Sequence, residues 1–181
     1  VGFNRRFAPF YLEMKNLLGK RSAPAVVNIR MAAPYMSGTF WGASAEEGGA
    51  IIGEAVHMVD LMRFLLDADP VSVSSYSLPT GKSEPTGENN IAASFKFEDG
   101  SIGNLTYTTL GGDSSAGESV EVLATGLRVK SEDFKTLVVN RNSGQQTRSK
   151  LWAAKGYGSQ MSAFVDDICA GRAPQLTAED G

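Results

Sequence analysis

Hydrophobic and polar positions along this chain follow two periods, one helical and one extended. From Pro9 to Leu18 (PFYLEMKNLL) the apolar residues recur at helical spacing, and Gly19 stands where a helix ends. From Pro24 to Ala32 the period drops to two. Val27, Ile29 and Met31 fall on one side and Asn28 and Arg30 on the other, the pattern of a half-buried strand. Residues 33–49 carry little periodicity and form a long connection, of a length often given over to function. Ile51 to Leu66 is the longest helical candidate, Val71 to Leu78 reads as a strand, and the turn-rich stretch 79–88 as a surface loop.

The clearest extended signal follows. Ile91, Ala93, Phe95 and Phe97 alternate with smaller or polar residues, and Asp99-Gly100 has the form of a two-residue hairpin leading into a partner strand, Ile102 to Leu110. Val120 to Ala124 and Leu127 to Lys130 flank a second turn at Thr125-Gly126. Leu137 to Val139 runs into a turn at Asn140 to Gly144. Met161, Phe164, Val165 and Ile168 mark one face of a last helix, ending at Gly171. The order predicts an α+β fold: an open, mostly antiparallel sheet with helices packed on one face. The βαβα alternation and glycine-rich strand–turn–helix of a dinucleotide-binding fold are not in this sequence, and Gly48-Gly49 opens no phosphate-loop pattern.

Composition narrows the classes. The 181 residues suit one domain spanning 1–181, and 42% apolar with 20% charged residues is ordinary for a globular protein. The net charge is −3, and no Lys/Arg cluster exceeds a pair such as Arg5-Arg6, so no footprint for nucleic acid is present. No apolar run approaches the ~18–20 residues of a membrane span. Cys169 is the only cysteine, which excludes an internal disulfide. Its apolar segment predicts a buried, inert thiol, and the usage fits a reducing cytoplasm. Val1-Gly2-Phe3 reads as the tail of a strand, and Thr177 with an acid three residues on reads as a helix N-cap; both ends suggest a domain excised from a longer chain.

The only histidine, His57, lies on the long helix. Ile52, Ala55, Val56, Val59 and Met62 form one apolar face, with Leu61 and Phe64 near the opposite side; such a helix is normally sandwiched. Glu54, His57 and Asp60 follow at intervals of three and project from neighbouring positions. Either the two acids orient His57 in a satisfied core network, or the three line a cleft in which His57 moves protons. A metal site on one histidine and two carboxylates matches no strong spacing, and no nucleophile elbow accompanies the histidine.

The opening Val1-Gly2-Phe3-Asn4-Arg5-Arg6-Phe7-Ala8-Pro9, the Glu47-Gly48-Gly49 turn, the helix Gly53 to Leu61 and the strand pair around Phe97-Glu98-Asp99-Gly100-Ser101 carry a resemblance. Together they resemble the C-terminal domain of the glucose–fructose oxidoreductase/inositol dehydrogenase/rhizopine catabolism family. The first and third also resemble the rear portion of fused oxidoreductases whose front is like zinc alcohol dehydrogenases.

The resemblance implies a substrate-facing, oligomerising domain that works with its own N-terminal Rossmann domain, where NAD or NADP would be bound and a lysine would act as acid or base. It implies oxidation of a sugar-like or cyclitol hydroxyl, with a homo-oligomer formed through the sheet, and an isolated chain without activity. His57 matches the family's helix histidine, and a group titrating near neutral pH suits removal of a hydroxyl proton. Glu54 is its candidate partner. Many members carry an aspartate four residues before the histidine; Gly53 stands there in this chain. Asp60, Trp41, Lys155 and Tyr157 are candidate substrate contacts, and Arg6 a candidate cofactor contact. Two other functions compete: a non-catalytic binding or assembly module of the same fold, and a metal-dependent lyase or hydrolase around Glu54 and His57.

Overall fold

The computed structural model describes residues 2–19, 21–34, 49–79, 89–111 and 117–177. Its elements are a 3-10 turn (Asn4–Phe7), α1 (Pro9–Leu18), β1 (Val26–Pro34), a π-helical turn (Ile51–Ala55) running into α2 (Val56–Leu66), β2 (Pro70–Ser77), β3 (Ile91–Phe97), β4 (Ile102–Gly111), β5 (Gly117–Ala124), β6 (Leu127–Glu132), β7 (Thr136–Arg141), β8 (Gly144–Ser149) and α3 (Tyr157–Cys169). The eight strands form one sheet in the order β2-β3-β4-β1-β5-β6-β7-β8. Only β1 and β4 pair in parallel; every other neighbouring pair is antiparallel. This is the expected α+β architecture.

The period-two pattern fixes the register because one face is covered. Val27 and Ile29 of β1, Leu105 and Tyr107 of β4, and Val120 and Val122 of β5 are buried beneath Tyr11, Met14 and Leu18 of α1 and Met58, Leu61, Met62 and Leu65 of α2. The opposite face is polar at its centre. Asn104 bridges β1 and β3 there, its Nδ2 donating to Asn28 Oδ1 at 2.9 Å and its Oδ1 accepting from Ser94 Oγ at 2.8 Å. Gly103 lets α2 approach: a Cβ there would stand 2.5 Å from the Met62 sulfur.

Several expectations are corrected. The buried stripe of α2 is Ala55, Met58, Leu61, Met62 and Leu65, while Ile52 is 62% exposed. A helix apolar on nearly all sides offers two stripes, and periodicity cannot choose between them; the i→i+5 turn also puts Ile52 out of phase with α2. The β3–β4 connection is one residue longer than the two-residue reading. Gly100 N–H donates to Phe97 O (3.0 Å) and Phe97 N–H to Ser101 O (2.9 Å), with Gly100 at φ 85, so Glu98 to Gly100 make a three-residue loop. The edge strand β8 carries no apolar signal; all six residues are exposed. Cys169 is exposed, not buried, because its apolar segment is the outer side of α3. Met161, Phe164, Val165 and Ile168 are exposed with it.

Candidate active site

The π-helical turn and α2 run over β4 in the opposite direction. Met62 meets Gly103 near the start of β4, and Glu54 lies close enough to Tyr107, further along, for its charge to act there. The entrance of α2 is held at β3, where Ala50 N–H donates to Asn89 Oδ1 at 2.8 Å. The 3-10 turn then closes the end of the helix with two consecutive arginines that diverge.

Arg6 turns to α2. Its Nε donates to both oxygens of Asp60 at 3.0 Å and its Nη2 to Oδ1 at 2.5 Å. Arg5 turns to the sheet. Its Nε and Nη2 reach Glu118 Oε2 at 2.9 and 2.7 Å, while the Tyr11 hydroxyl donates to Glu118 Oε1 at 2.6 Å. Phe3 completes this wall, its ring meeting the His57 imidazole edge-on at 5.5 Å, and the Arg6 guanidinium lies over the Phe3 ring, 5.9 Å from its centroid.

His57 is half-buried between these groups, and its Nδ1 is buried without a hydrogen-bond partner. Burial, and then the Arg5 charge, lower its pKa to about 4, so the ring is neutral at physiological pH. The Tyr107 hydroxyl is likewise buried without a partner, and burial and then the Glu54 carboxylate push its pKa up to about 12. A neutral imidazole, a carboxylate and an unbonded phenol therefore lie within electrostatic reach of one guanidinium. The His57 Nδ1 and the Tyr107 hydroxyl are shut from solvent, which leaves the rest of the half-buried imidazole and Glu54 to meet a substrate hydroxyl.

The sequence-predicted residues divide. Arg6 and Asp60 are brought together, Phe3 lies between Arg6 and His57, and the Glu54 charge acts on Tyr107 and Arg5. Lys155 is tied to the same 3-10 turn through its carbonyl, which accepts from Asn4 Nδ2 at 2.7 Å. Tyr157 begins α3 and is 61% exposed. Trp41 lies outside the described residues. Arg5, Glu118 and Tyr107 were not found by sequence, though period two from buried Val120 and Val122 points Glu118 inward, and from Leu105 points Tyr107 inward. Among the described residues no three His, Cys, Asp or Glu side chains group to hold a metal, so the metal-dependent reading has no site among them. No helix among them is long and apolar enough to cross a membrane.

Fold and site define a sheet-and-helix domain of the kind found in dehydrogenases. It is 27% identical over 173 residues to a 1,5-anhydro-D-fructose reductase of Ensifer adhaerens, covering 91% of this chain and 50% of that protein. The dehydrogenase MviM of Clostridium difficile shares the fold at a TM-score of 0.79 and 21% identity, over 99% of this chain and 56% of that one. An oxidoreductase of Agrobacterium radiobacter, solved with NAD+, L-tartaric acid and magnesium, shares it at 0.75 and 14%, over 98% and 56%. The chain belongs to the GFO/IDH/MocA C-terminal domain family, whose model matches residues 13–129. It spans about half the length of the curated relatives it matches.

Proposed function

We propose that this chain is the substrate-facing and oligomerising part of an NAD- or NADP-dependent oxidoreductase acting on a sugar-like or cyclitol hydroxyl. The observation that carries the reading is His57: neutral, half-buried, packed edge-on against Phe3 and within reach of the Arg5 charge, which also reaches Glu54 and Tyr107. His57 takes the hydroxyl proton during oxidation and returns it during reduction. Glu54 orients the substrate. Asp60 acts through Arg6, holding it and the Phe3 wall against the imidazole, and is a positioning residue.

The described residues do not suit the dinucleotide. They contain no strand–glycine turn–helix, and the Arg6 guanidinium is engaged by Asp60. The cofactor therefore belongs to a separate Rossmann domain, and this chain handles the substrate and the proton alone. The polar sheet face centred on Asn28, Asn104 and Ser94 is the surface for a second copy.

Two measurements test this. Calorimetric titration of the chain with NAD(H) and NADP(H) is expected to give no micromolar binding, and such binding would overturn the division of labour. His57→Ala in the protein joined to its cofactor domain is expected to lower turnover with the fold intact. Unchanged turnover would favour a non-catalytic binding module, the reading that Gly53 supports by leaving the usual aspartate position without an acid.

A further inference from the structure

Among the cavities that the proposed chemistry does not use, one is unusual in its charges. It measures about 390 Å³, lies at the ends of β1 and β5, and is lined by Arg5, Ala32, Glu118, Phe134, Lys135 and Lys155 among others. That volume falls within the ~300–1,000 Å³ of small-molecule sites.

Its charges are unevenly matched. Arg5 is held by Glu118, and Asp133, also in the wall, accepts the Glu118 N–H on Oδ1 at 2.7 Å. Lys135 and Lys155 enter no ion pair among the described residues. Three cations thus face two carboxylates, and both carboxylates already have partners.

The backbone at both lysines is fixed, and their side chains are exposed at the rim of the cavity. Lys155 is bonded through its carbonyl to buried Asn4, and Gly156 follows at φ 89, where a Cβ would run into the Asn4 carbonyl and the Ala8 nitrogen. The chain is pressed onto the 3-10 turn there. Lys135 follows Asp133 (φ 51) and Phe134 (φ 59), two non-glycine residues in the left-handed region. Such strain persists only where the surroundings over-determine it. Here Phe134 is buried against Tyr11 with ring centroids 5.1 Å apart, and the Lys135 carbonyl accepts the Lys150 N–H at 2.7 Å. A strained turn and a close-packed glycine thus set the backbone of two lysines without an ion pair on the wall that buried Arg5 also lines. Cations without a carboxylate partner at the rim of a cavity recognise an oxyanion.

We infer that this cavity holds an anionic group of the substrate, a carboxylate or a phosphate, making the substrate a sugar acid or sugar phosphate. The inference rests on the reading of His57 as the reacting end. Arg5 joins the two, since it lines the cavity and its charge also reaches His57.

The test is an NMR titration of the chain, following the lysine side chains and the His57 ring, with inorganic phosphate, D-glucuronate, D-glucose 6-phosphate and D-glucose. The anions are expected to shift Lys135 and Lys155 saturably, and D-glucose to leave them unmoved. Whether glucuronate or the phosphates bind more tightly names the group. Lys135→Met/Lys155→Met is expected to weaken anion binding about tenfold or more. Parallel drift of all lysines, no saturation, or unchanged affinity in the double variant would overturn the inference. A sugar that moves His57 but neither lysine overturns the anion site and leaves the proposed function standing. Anions that saturate the lysines while no sugar moves His57 do the reverse.

Discussion

Arg6 and Asp60 form a bidentate pair across the entrance to α2, with Nε 3.0 Å from both carboxylate oxygens. Asp60 is 3% exposed, so the pair is largely removed from water. Removing one member of such a pair strands the other charge, which costs about 3–5 kcal/mol. Asp60→Ala is therefore expected to lower the urea midpoint strongly, and Asp60→Asn less. Because Arg6 also covers Phe3, and Phe3 meets His57, the Asn variant should shift the His57 ring signals in NMR. Unmoved His57 signals would break the proposed chain of support.

His57 makes a pH prediction with a definite sign. Its folded pKa of about 4 lies below the ordinary imidazole value of 6.5. The fold therefore favours the neutral ring. That contribution is fully present above about pH 6.5 and is lost as pH falls toward 4. As the only histidine, its ring should give one NMR titration centred well below 6.5. Thermal stability should fall between those limits in the native protein, and His57→Gln should flatten that part of the profile. A ring titrating near 6.5 would show it to be solvated.

The Arg5–Glu118–Tyr11 network is predicted to be the strongest polar determinant of stability. Arg5 and Glu118 are 7% and 3% exposed, and both carboxylate oxygens are bonded. Glu118→Ala should cost about 3–5 kcal/mol by chemical denaturation. Tyr11→Phe, which removes one hydrogen bond to a charged group, should cost about 1.5–3 kcal/mol. A double-mutant cycle should be non-additive, since both variants act on the same carboxylate. Additive losses would mean that the two contacts are independent.

These relationships explain how far the sequence could be read. Alternation exposed β1, β3, β4 and β5 because each has one covered face, and Gly19 marked the end of α1. β8 was silent because an edge strand buries nothing on either face. The Phe134 part of the turn was silent because phenylalanine, unlike Asp133, is not a customary left-handed residue, and Phe134 is buried in that conformation. Within the site, helical spacing placed Glu54, His57 and Asp60 as neighbours. It could not foresee that Arg6 would engage Asp60, or that Arg5 would reach Glu118 more than a hundred residues away. Such pairings depend on how the 3-10 turn docks, which leaves no local pattern.

The last prediction concerns the acid. Gly53 occupies the helical position four before His57, is exposed, and has nothing within 4 Å of where a Cβ would stand. An aspartate fits there without clash. Gly53→Asp should fold normally and gain a few tenths of a kcal/mol, since glycine is the poorer helix residue. Glu54, one position on in the π-helical turn, projects in a different direction, and its charge acts on Tyr107 and Arg5. Steady-state kinetics of the protein joined to its cofactor domain can separate the two positions. Glu54→Gln should lower kcat/KM by about tenfold or more, the loss of one charge-assisted substrate contact. Gly53→Asp/Glu54→Gln should not recover it, because the new carboxylate would face a different part of the cleft. Full recovery would show that either position serves, and that Glu54 can act from one residue beyond the aspartate position that the family resemblance implies.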